Sequence, residues 1–305
     1  MIPDDVVDYV REVFAKANRE ATMTLARQPA AHEEQLDFQI FAALDRIGPR
    51  RFPGSGAAID IETHWLGGRR HFEQRWEIAD IGVVIVLRKS GKLLWRKVAL
   101  LQSKRLYSRE IPVTELERSD YEFGIGRLVD RVENIQPLTQ VRKFRFTPDC
   151  VYGAMNTSDE QVSVIERYMR QRRMPVYYSF YNPPNMPYQG SVPRLAIMPL
   201  ENEGIKLGCR VMTAHAAHAA LNRLPTGTSP QFKDMTLPKP AMPGGFGKHG
   251  WRLENFIADE VLRCREGRLF ESAQDSDLRA LLYGRSYPIS SLIQIAIDLP
   301  REHSD

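Results

Sequence analysis

The chain has few cysteines, no long apolar run and little excess of either charge. Its three cysteines, Cys150, Cys209 and Cys264, lie more than fifty residues apart in a chain of 305. An odd number without paired spacing does not indicate a disulfide framework, which fits a reducing, cytoplasmic setting. No stretch approaches eighteen uncharged apolar residues, so the sequence predicts no membrane segment and no signal peptide.

The charge balance is also unremarkable, because 42 Lys and Arg face 38 Asp and Glu, giving a net charge of +4. Such a small excess is compatible with a polyanionic partner but does not indicate one. Basic residues nevertheless cluster locally, and phosphate contacts from such clusters would give affinity without reading sequence. The clusters are Arg69 with Arg70, Lys104 with Arg105, 142 to 145, and 167 to 173.

Two apolar segments separated by a polar turn predict an antiparallel hairpin. β-Branched and aliphatic residues fill 81 to 87 and 98 to 101, and the intervening Lys-Ser-Gly-Lys supplies a glycine for the turn. A turn centred on Gly91 places Asp80 opposite Gln102, and strand periodicity sets Lys104 on the same face as Gln102. Packing alone does not explain three polar groups at the open end of an apolar hairpin.

Asp80 followed by Gln102-Ser103-Lys104 resembles the PD-(D/E)XK nuclease superfamily, and within it the Mrr-like restriction endonucleases whose second half-motif is Gln-x-Lys. The resemblance covers roughly residues 33 to 182. It implies an α/β, restriction-endonuclease-like core, a small mixed sheet of three or four strands flanked by helices. It also implies that Asp80 binds a divalent metal, that Gln102 completes the metal shell, and that Lys104 contacts the attacking water or the phosphate.

The chemistry explains these residue types, since phosphodiester hydrolysis needs a hard cation held by oxygen ligands. Mg²⁺ is the expected cofactor, with Mn²⁺ as a substitute. Gln102 is neutral where an acid is commoner, so another carboxylate is expected to help. Glu34, on a predicted helix over 33 to 44, is preferred, with Glu33 and Asp37 as competitors. Other candidates are Glu77, should its strand begin with a bulge, then Glu73 and Glu62.

Helices are also predicted over 4 to 27, 119 to 134, 159 to 172, 213 to 224 and 251 to 265, and strands over 57 to 65, 71 to 87, 93 to 104 and 175 to 182. These elements suggest an N-terminal helix (1 to 30), a nuclease core (31 to 182) and an irregular, proline-rich accessory region packed on the core (183 to 305). A right-handed crossover predicts that the strand at 175 to 182 lies parallel to its neighbour.

Several other sequence motifs are weaker indications of a functional site. The Gly-Gly-Phe-Gly-Lys-His sequence from Gly244 lacks the spacer of a phosphate-binding P-loop. Cys209, His215 and His218 lack a fourth zinc ligand. His64 and His71 are alternative general bases for a water molecule.

The predicted function is a metal-dependent endonuclease acting on DNA, in prokaryotic restriction or anti-phage defence, with Lys104, Arg105, Arg69 and Arg70 as nucleic-acid contacts. The resemblance suggests a homodimer or a defence-system partner protein. Two alternatives from other classes are a catalytically inactive DNA-binding subunit and an assembly subunit of a defence complex. RNA remains an alternative substrate.

Overall fold

A computed structural model of the protein describes residues 2–66, 78–115, 141–192, 204–235, 250–272, 274–283 and 288–301. Its helices are α1 (Asp4–Arg27), α2 (Glu33–Leu44), α3 (Glu160–Arg172), α4 (Ala214–Leu221), α5 (Leu253–Asn255, continued by a π-helical turn over Phe256–Val261) and α6 (Ser276–Tyr283). Its strands are β1 (Arg50–Arg51), β2 (Ala58–Trp65), β3 (Ala79–Lys89), β4 (Lys92–Arg105), β5 (Arg109–Ile111), β6 (Arg142–Phe146), β7 (Val176–Tyr181), β8 (Tyr188–Val192), β9 (Arg210–Thr213), β10 (Trp251–Arg252), β11 (Arg268–Phe270) and β12 (Ile289–Leu299).

The predicted hairpin is formed by β3 and β4. Ser90 and Gly91 both have positive φ, at 52° and 76°, which matches the two-residue turns that suit twisted strands. Lys89 pairs with Lys92 across this turn, and a bulge after Leu87 then shifts the register. Because of that shift Ile81 pairs with Leu101, which is the register expected for a turn centred on Gly91.

The main sheet is mixed and has nine strands in the described part of the chain, in the order β1-β2-β12-β3-β4-β7-β9-β10, with β11 also paired to β4. The mixed α/β class is thus confirmed, whereas the expected three or four strands are too few. β7 lies parallel to β4, as predicted. A second sheet contains β5, β6 and β8.

Helices cover the sheet on both faces, and their buried polar contacts identify each face. Asp37 of α2 bonds with Ser103, whereas Gln161 of α3 bonds with Lys104, the next residue along β4. Successive strand residues point to opposite faces, so α2 and α3 lie on opposite sides. With both faces covered, all six residues of β7 are buried, and β3 is apolar and buried without interruption from Ile81 to Leu87.

The sheet crosses the predicted boundary at residue 182. β12 lies between β2 and β3, antiparallel to the first and parallel to the second. Its alternating pattern, with Ile289, Ile293, Ile295 and Ile297 buried, suits a half-buried strand. The C-terminal segment therefore supplies a central strand, and the description of 183 to 305 as an irregular accessory region is wrong for this strand.

Most other predicted elements agree with the described ones within a few residues. The helix predicted over 251 to 265 is an exception, because it begins as a short strand and continues as α5 and its π-helical turn. The helix predicted over 119 to 134 lies outside the described residues, as does the segment 71 to 77. No described helix combines the length and apolar character needed to cross a bilayer.

Candidate functional site

Asp80 and Gln102 meet at the open end of the hairpin. Gln102 Nε2 donates to Asp80 Oδ2 at 2.5 Å, and the backbone N–H of Ser103 donates to the same oxygen at 2.6 Å. A carboxylate only accepts hydrogen bonds, so the Gln102 amide must turn its nitrogen toward Asp80. The contact predicted from strand register is therefore present.

This orientation leaves the other end of the Gln102 amide without a partner. Gln102 is 4% exposed, and its Oε1 has no hydrogen-bond partner among the residues that the structure describes. Buried carbonyl oxygens are nearly always satisfied, so an unsatisfied one needs an explanation. An oxygen that lacks a donor beside a carboxylate is a suitable ligand for a hard cation.

Lys104 lies two residues further along β4, on the same face as Gln102. Its side chain is buried, and Nζ donates to Gln161 Oε1 at 3.0 Å. Gln161 is in the first turn of α3, where the Asp159 carboxylate accepts its backbone N–H at 2.9 Å and caps the helix. We did not predict Gln161 as a site residue. The Asp-x-Gln sequence at the predicted helix start was the available signal, but it indicates a cap and not a contact with Lys104.

A buried acid on the opposite face is linked to Asp80. Asp37 Oδ1 accepts from Ser103 Oγ at 2.7 Å and from the Tyr181 hydroxyl at 2.5 Å. Burial raises the pKa of Asp37 well above its usual value, and the negative charge of Asp80 raises it further. Ser103 therefore contacts both acids, Asp80 through its backbone and Asp37 through its hydroxyl.

The remaining carboxylate candidates lie elsewhere. Glu34 is on the exposed side of α2, where it lines a surface groove, and is not turned toward the interior. Glu33 Oε1 accepts the backbone N–H of Arg105 at 3.1 Å. Glu62 is on β2, pairing with His64 at 3.5 Å and accepting from Gln294 at 3.0 Å. Glu73 and Glu77 lie outside the described residues.

The two predicted basic contacts that the structure describes, Lys104 and Arg105, are both buried. Arg105 is 6% exposed, donates to the carbonyl of Pro29 at 2.8 Å and lies over the Tyr107 ring at 3.7 Å. Its guanidinium thus takes part in packing, which contradicts its predicted role in binding phosphate. Arg69, Arg70 and His71 lie outside the described residues, and so does Lys248.

The three residues considered for zinc are separated. Cys209 Sγ contacts Ser179 Oγ at 3.0 Å, on the α1 and α2 side of the sheet. His218 lies on the other side, where Nε2 is 3.0 Å from the Tyr178 hydroxyl and Nδ1 is 3.1 Å from Glu166. His215 is exposed.

The donor set near Asp80 is made of oxygen atoms, which suits Mg²⁺ or Mn²⁺ better than zinc. Within the described ranges no three His, Cys, Asp or Glu side chains gather closely enough to hold a metal. Among the described residues, a metal site at Asp80 would therefore need the Gln102 amide. Comparisons of the chain with protein-family models, with curated proteins and with solved structures find no match.

Proposed function

We propose that the protein is a metal-dependent nuclease that hydrolyses phosphodiester bonds in DNA, in the cytoplasm of a prokaryotic cell defending itself against foreign DNA. The observation that carries this proposal is the Asp80–Gln102 pair with the unsatisfied buried oxygen of Gln102. Gln102 lies two residues before Lys104 on the same face of β4. Structural packing does not require this arrangement. An all-apolar hairpin end would avoid the cost of burying these groups.

Asp80 and Gln102 are the residues that would hold the metal. The α2 carboxylates do not join them: Glu34 is exposed at the surface, and Asp37 lies on the opposite face of β4, linked to Asp80 through Ser103. When bound, a divalent cation would polarise the phosphate and lower the pKa of a coordinated water. Burial raises the pKa of Asp37, and the negative charge of Asp80 raises it further; a cation bound at Asp80 would offset the second effect.

Lys104 would stabilise the negative charge that develops on the phosphate. Within the described chain its amine bonds to the amide oxygen of Gln161 and to no carboxylate, so this contact orients it without forming an ion pair. The order α2, β2, β3, β4, α3, β7, with β7 parallel to β4, supports the proposal because the resemblance to PD-(D/E)XK nucleases implies this order. The insertion of β12 beside β3 departs from the simple core.

The direct test is incubation of the purified protein with supercoiled plasmid, linear DNA and RNA, each with Mg²⁺, with Mn²⁺ and with chelator. We expect nicking that requires metal and is lost in Asp80→Ala and Lys104→Ala. Asp60→Ala and Lys92→Ala are matched controls, since Asp60 is on β2, which β12 separates from β3, and Lys92 is at the far end of β4. Cleavage by the Asp80 variant, or equal loss in both control variants, would contradict the proposal.

A second candidate is a DNA-binding or assembly subunit that keeps the fold without the reaction. The neutral Gln102 favours it, as does the absence of a third acidic, histidine or cysteine ligand in the described ranges. DNA binding that is independent of metal, with no cleavage of any substrate, would select this function. Expression of the Asp80 variant in cells tests it further, because a binding subunit would keep its effect on phage infection.

A further inference from the structure

Two large aromatic side chains lie exposed on the surface next to the candidate site. Phe38 of α2 is 53% exposed and Trp65 at the end of β2 is 48% exposed. Their ring centroids are 6.1 Å apart with an angle of 25° between the ring planes, and Phe41 supports Trp65 at 4.8 Å. The two rings therefore stack on each other, Trp65 also packs on Phe41, and about half of each exposed side chain faces solvent.

The pair forms one wall of a groove of about 560 Å³. The other lining residues are Thr24, Gln28, Glu34, Gln35 and Gln39. Three of these, Gln28, Gln35 and Gln39, carry side-chain amides with hydrogen-bond donors and an acceptor, although the Gln35 oxygen already accepts the backbone N–H of His32. We call this surface the aromatic groove.

The aromatic groove lies at the same end of the sheet as Asp80. Trp65 pairs with Ser291 of β12, and Ser291 pairs with Ile81 of β3. Two strand spacings put the Trp65 backbone roughly 10 Å from that of Ile81. Ser291 Oγ also donates to the backbone carbonyl of Asp80 at 2.7 Å, so β12 connects the strand that carries Trp65 with Asp80.

The chemistry of the aromatic groove excludes a phosphate as its ligand. Glu34 is the charged residue among those lining it in the described chain, and a carboxylate repels phosphate. Flat aromatic rings with amides around them suit a flat, uncharged, hydrogen-bonding ligand, and nucleobases have those properties. A base inside a duplex has both faces covered, so the ligand must be an unpaired base.

We propose that the aromatic groove binds an unpaired nucleobase of the strand that enters the Asp80 site. This inference rests on the proposed function only in taking nucleic acid as the substrate. The base stacks on Trp65 and Phe38, and the glutamine amides bond with its edge. Binding at this position would favour single-stranded or locally opened DNA over intact duplex.

The test is binding of a short, fluorescently labelled single-stranded DNA by the full chain in chelator, compared with an oligonucleotide of the same length and backbone that lacks bases. We expect the wild type to prefer the DNA with bases by roughly five- to 150-fold, which corresponds to about 1–3 kcal/mol for stacking of one base on an aromatic side chain. Trp65→Ala and Phe38→Ala should each lose most of this preference, while Trp65→Phe should keep it. The variants should bind the base-free oligonucleotide as the wild type does.

Leu94→Ala and Leu269→Ala are matched controls, because these residues are 43% and 44% exposed and lie away from the aromatic groove. The inference is wrong if the control variants lose as much affinity as Trp65→Ala, if the oligonucleotide without bases binds as well as normal DNA, or if no oligonucleotide binds. Phe38→Ala keeps the test decisive should Trp65→Ala fail to fold.

This outcome is independent of cleavage. Base-dependent binding by a protein that never cuts DNA would contradict the proposed nuclease activity and support the aromatic groove. Metal-dependent cleavage, combined with DNA binding that the Trp65 and Phe38 substitutions do not change, would support the nuclease activity and contradict the role of the aromatic groove.

Discussion

Gln102 gives its amide hydrogen to Asp80 and keeps a buried carbonyl oxygen that no described residue bonds. The hydrogen bonding of this pair is therefore incomplete, because the Asp80 carboxylate has a donor and the Gln102 amide oxygen has none in the described chain. An uncompensated buried acceptor costs about 1–3 kcal/mol, so a ligand that bonds this oxygen would stabilise the fold.

The first prediction concerns Gln102→Glu. Without metal, this change removes the donor to Asp80 and places a second carboxylate there, so the free energy of unfolding should fall by roughly 1–3 kcal/mol. Added Mg²⁺ should restore more stability to the variant than to the wild type, because metal binding is linked to folding. Urea denaturation with Mg²⁺ and with chelator measures both effects.

Gln294→Glu is the control, since Gln294 also donates to a carboxylate, that of Glu62, but at the surface. Water screens that pair, so the change should cost little and Mg²⁺ should not matter. An equal response of both variants to Mg²⁺ would argue against a metal at Asp80.

The second prediction is that Gln161→Leu impairs turnover more than binding. Gln161 holds Lys104 Nζ at 3.0 Å, and losing this contact frees the amine to move. Misplacement of a catalytic group by about 1 Å can cost on the order of a hundredfold in rate. We expect a kcat lowered about ten- to a hundredfold, with KM and DNA affinity in chelator nearly unchanged. Gln171 is exposed on the same helix, so Gln171→Leu should leave both kcat and KM unchanged. A loss of DNA affinity in Gln161→Leu as large as the loss of rate would contradict a positioning role.

The third prediction concerns Asp37 and pH. Its pKa is raised in the folded protein, so the folded state holds a proton that the unfolded state releases above a pKa of about 3.9. Its contribution to stability therefore falls as the pH rises above that value. Asp37→Asn, whose carbonyl oxygen can accept from Ser103 and Tyr181, should remove this part of the pH dependence when measured in chelator.

Asp37→Leu should behave differently, because it leaves the buried hydroxyls of Ser103 and Tyr181 without their acceptor. We expect a loss of roughly 2–5 kcal/mol at every pH. Similar losses in both variants would mean that size and shape, and not hydrogen bonding, dominate at this position.

The fourth prediction concerns His218, a buried residue between Tyr178 and Glu166. Burial lowers the pKa of His218, and this effect is larger than the rise caused by Glu166; the charge of His215 lowers the pKa further. The unfolded chain therefore takes up a proton below about pH 6.5 while the folded one resists it, so stability should fall as the pH falls. In His218→Gln the denaturation midpoint should change less between about pH 7 and pH 5 than it does in the wild type. His215→Gln, exposed on the same helix, should leave the slope unchanged, and an unaltered slope in His218→Gln would contradict the assignment.

Strand register made Asp80 and Gln102 predictable from sequence. The hairpin is local, its turn residues are distinctive, and alternation along a strand fixes which side chains share a face. A bulge after Leu87 could not be foreseen, yet it restored the register expected for a turn at Gly91. Local signals therefore sufficed for two of the site residues.

Contacts between distant segments were not predictable in the same way. The position of β12 between β2 and β3 depends on pairing across more than 200 residues, which no local pattern encodes. Gln161 and Asp37 point at β4 because their helices pack there, and sequence spacing showed only which residues share a helical face. Glu34 and Asp37 lie three residues apart on α2, so determining which of them is buried required the packed structure.

The fifth prediction concerns Arg105, whose sequence neighbourhood is typical of a phosphate contact but whose side chain is buried. Arg105→Ala removes the bond to Pro29 and the packing on Tyr107, so the free energy of unfolding should fall by roughly 2–4 kcal/mol. Because a buried guanidinium releases no counterions from DNA, the slope of DNA affinity against salt should not change. Arg145→Ala, at an exposed position on β6, is the matched comparison and should leave stability unchanged. A shallower salt slope for Arg105→Ala with intact stability would instead place this guanidinium at the DNA surface.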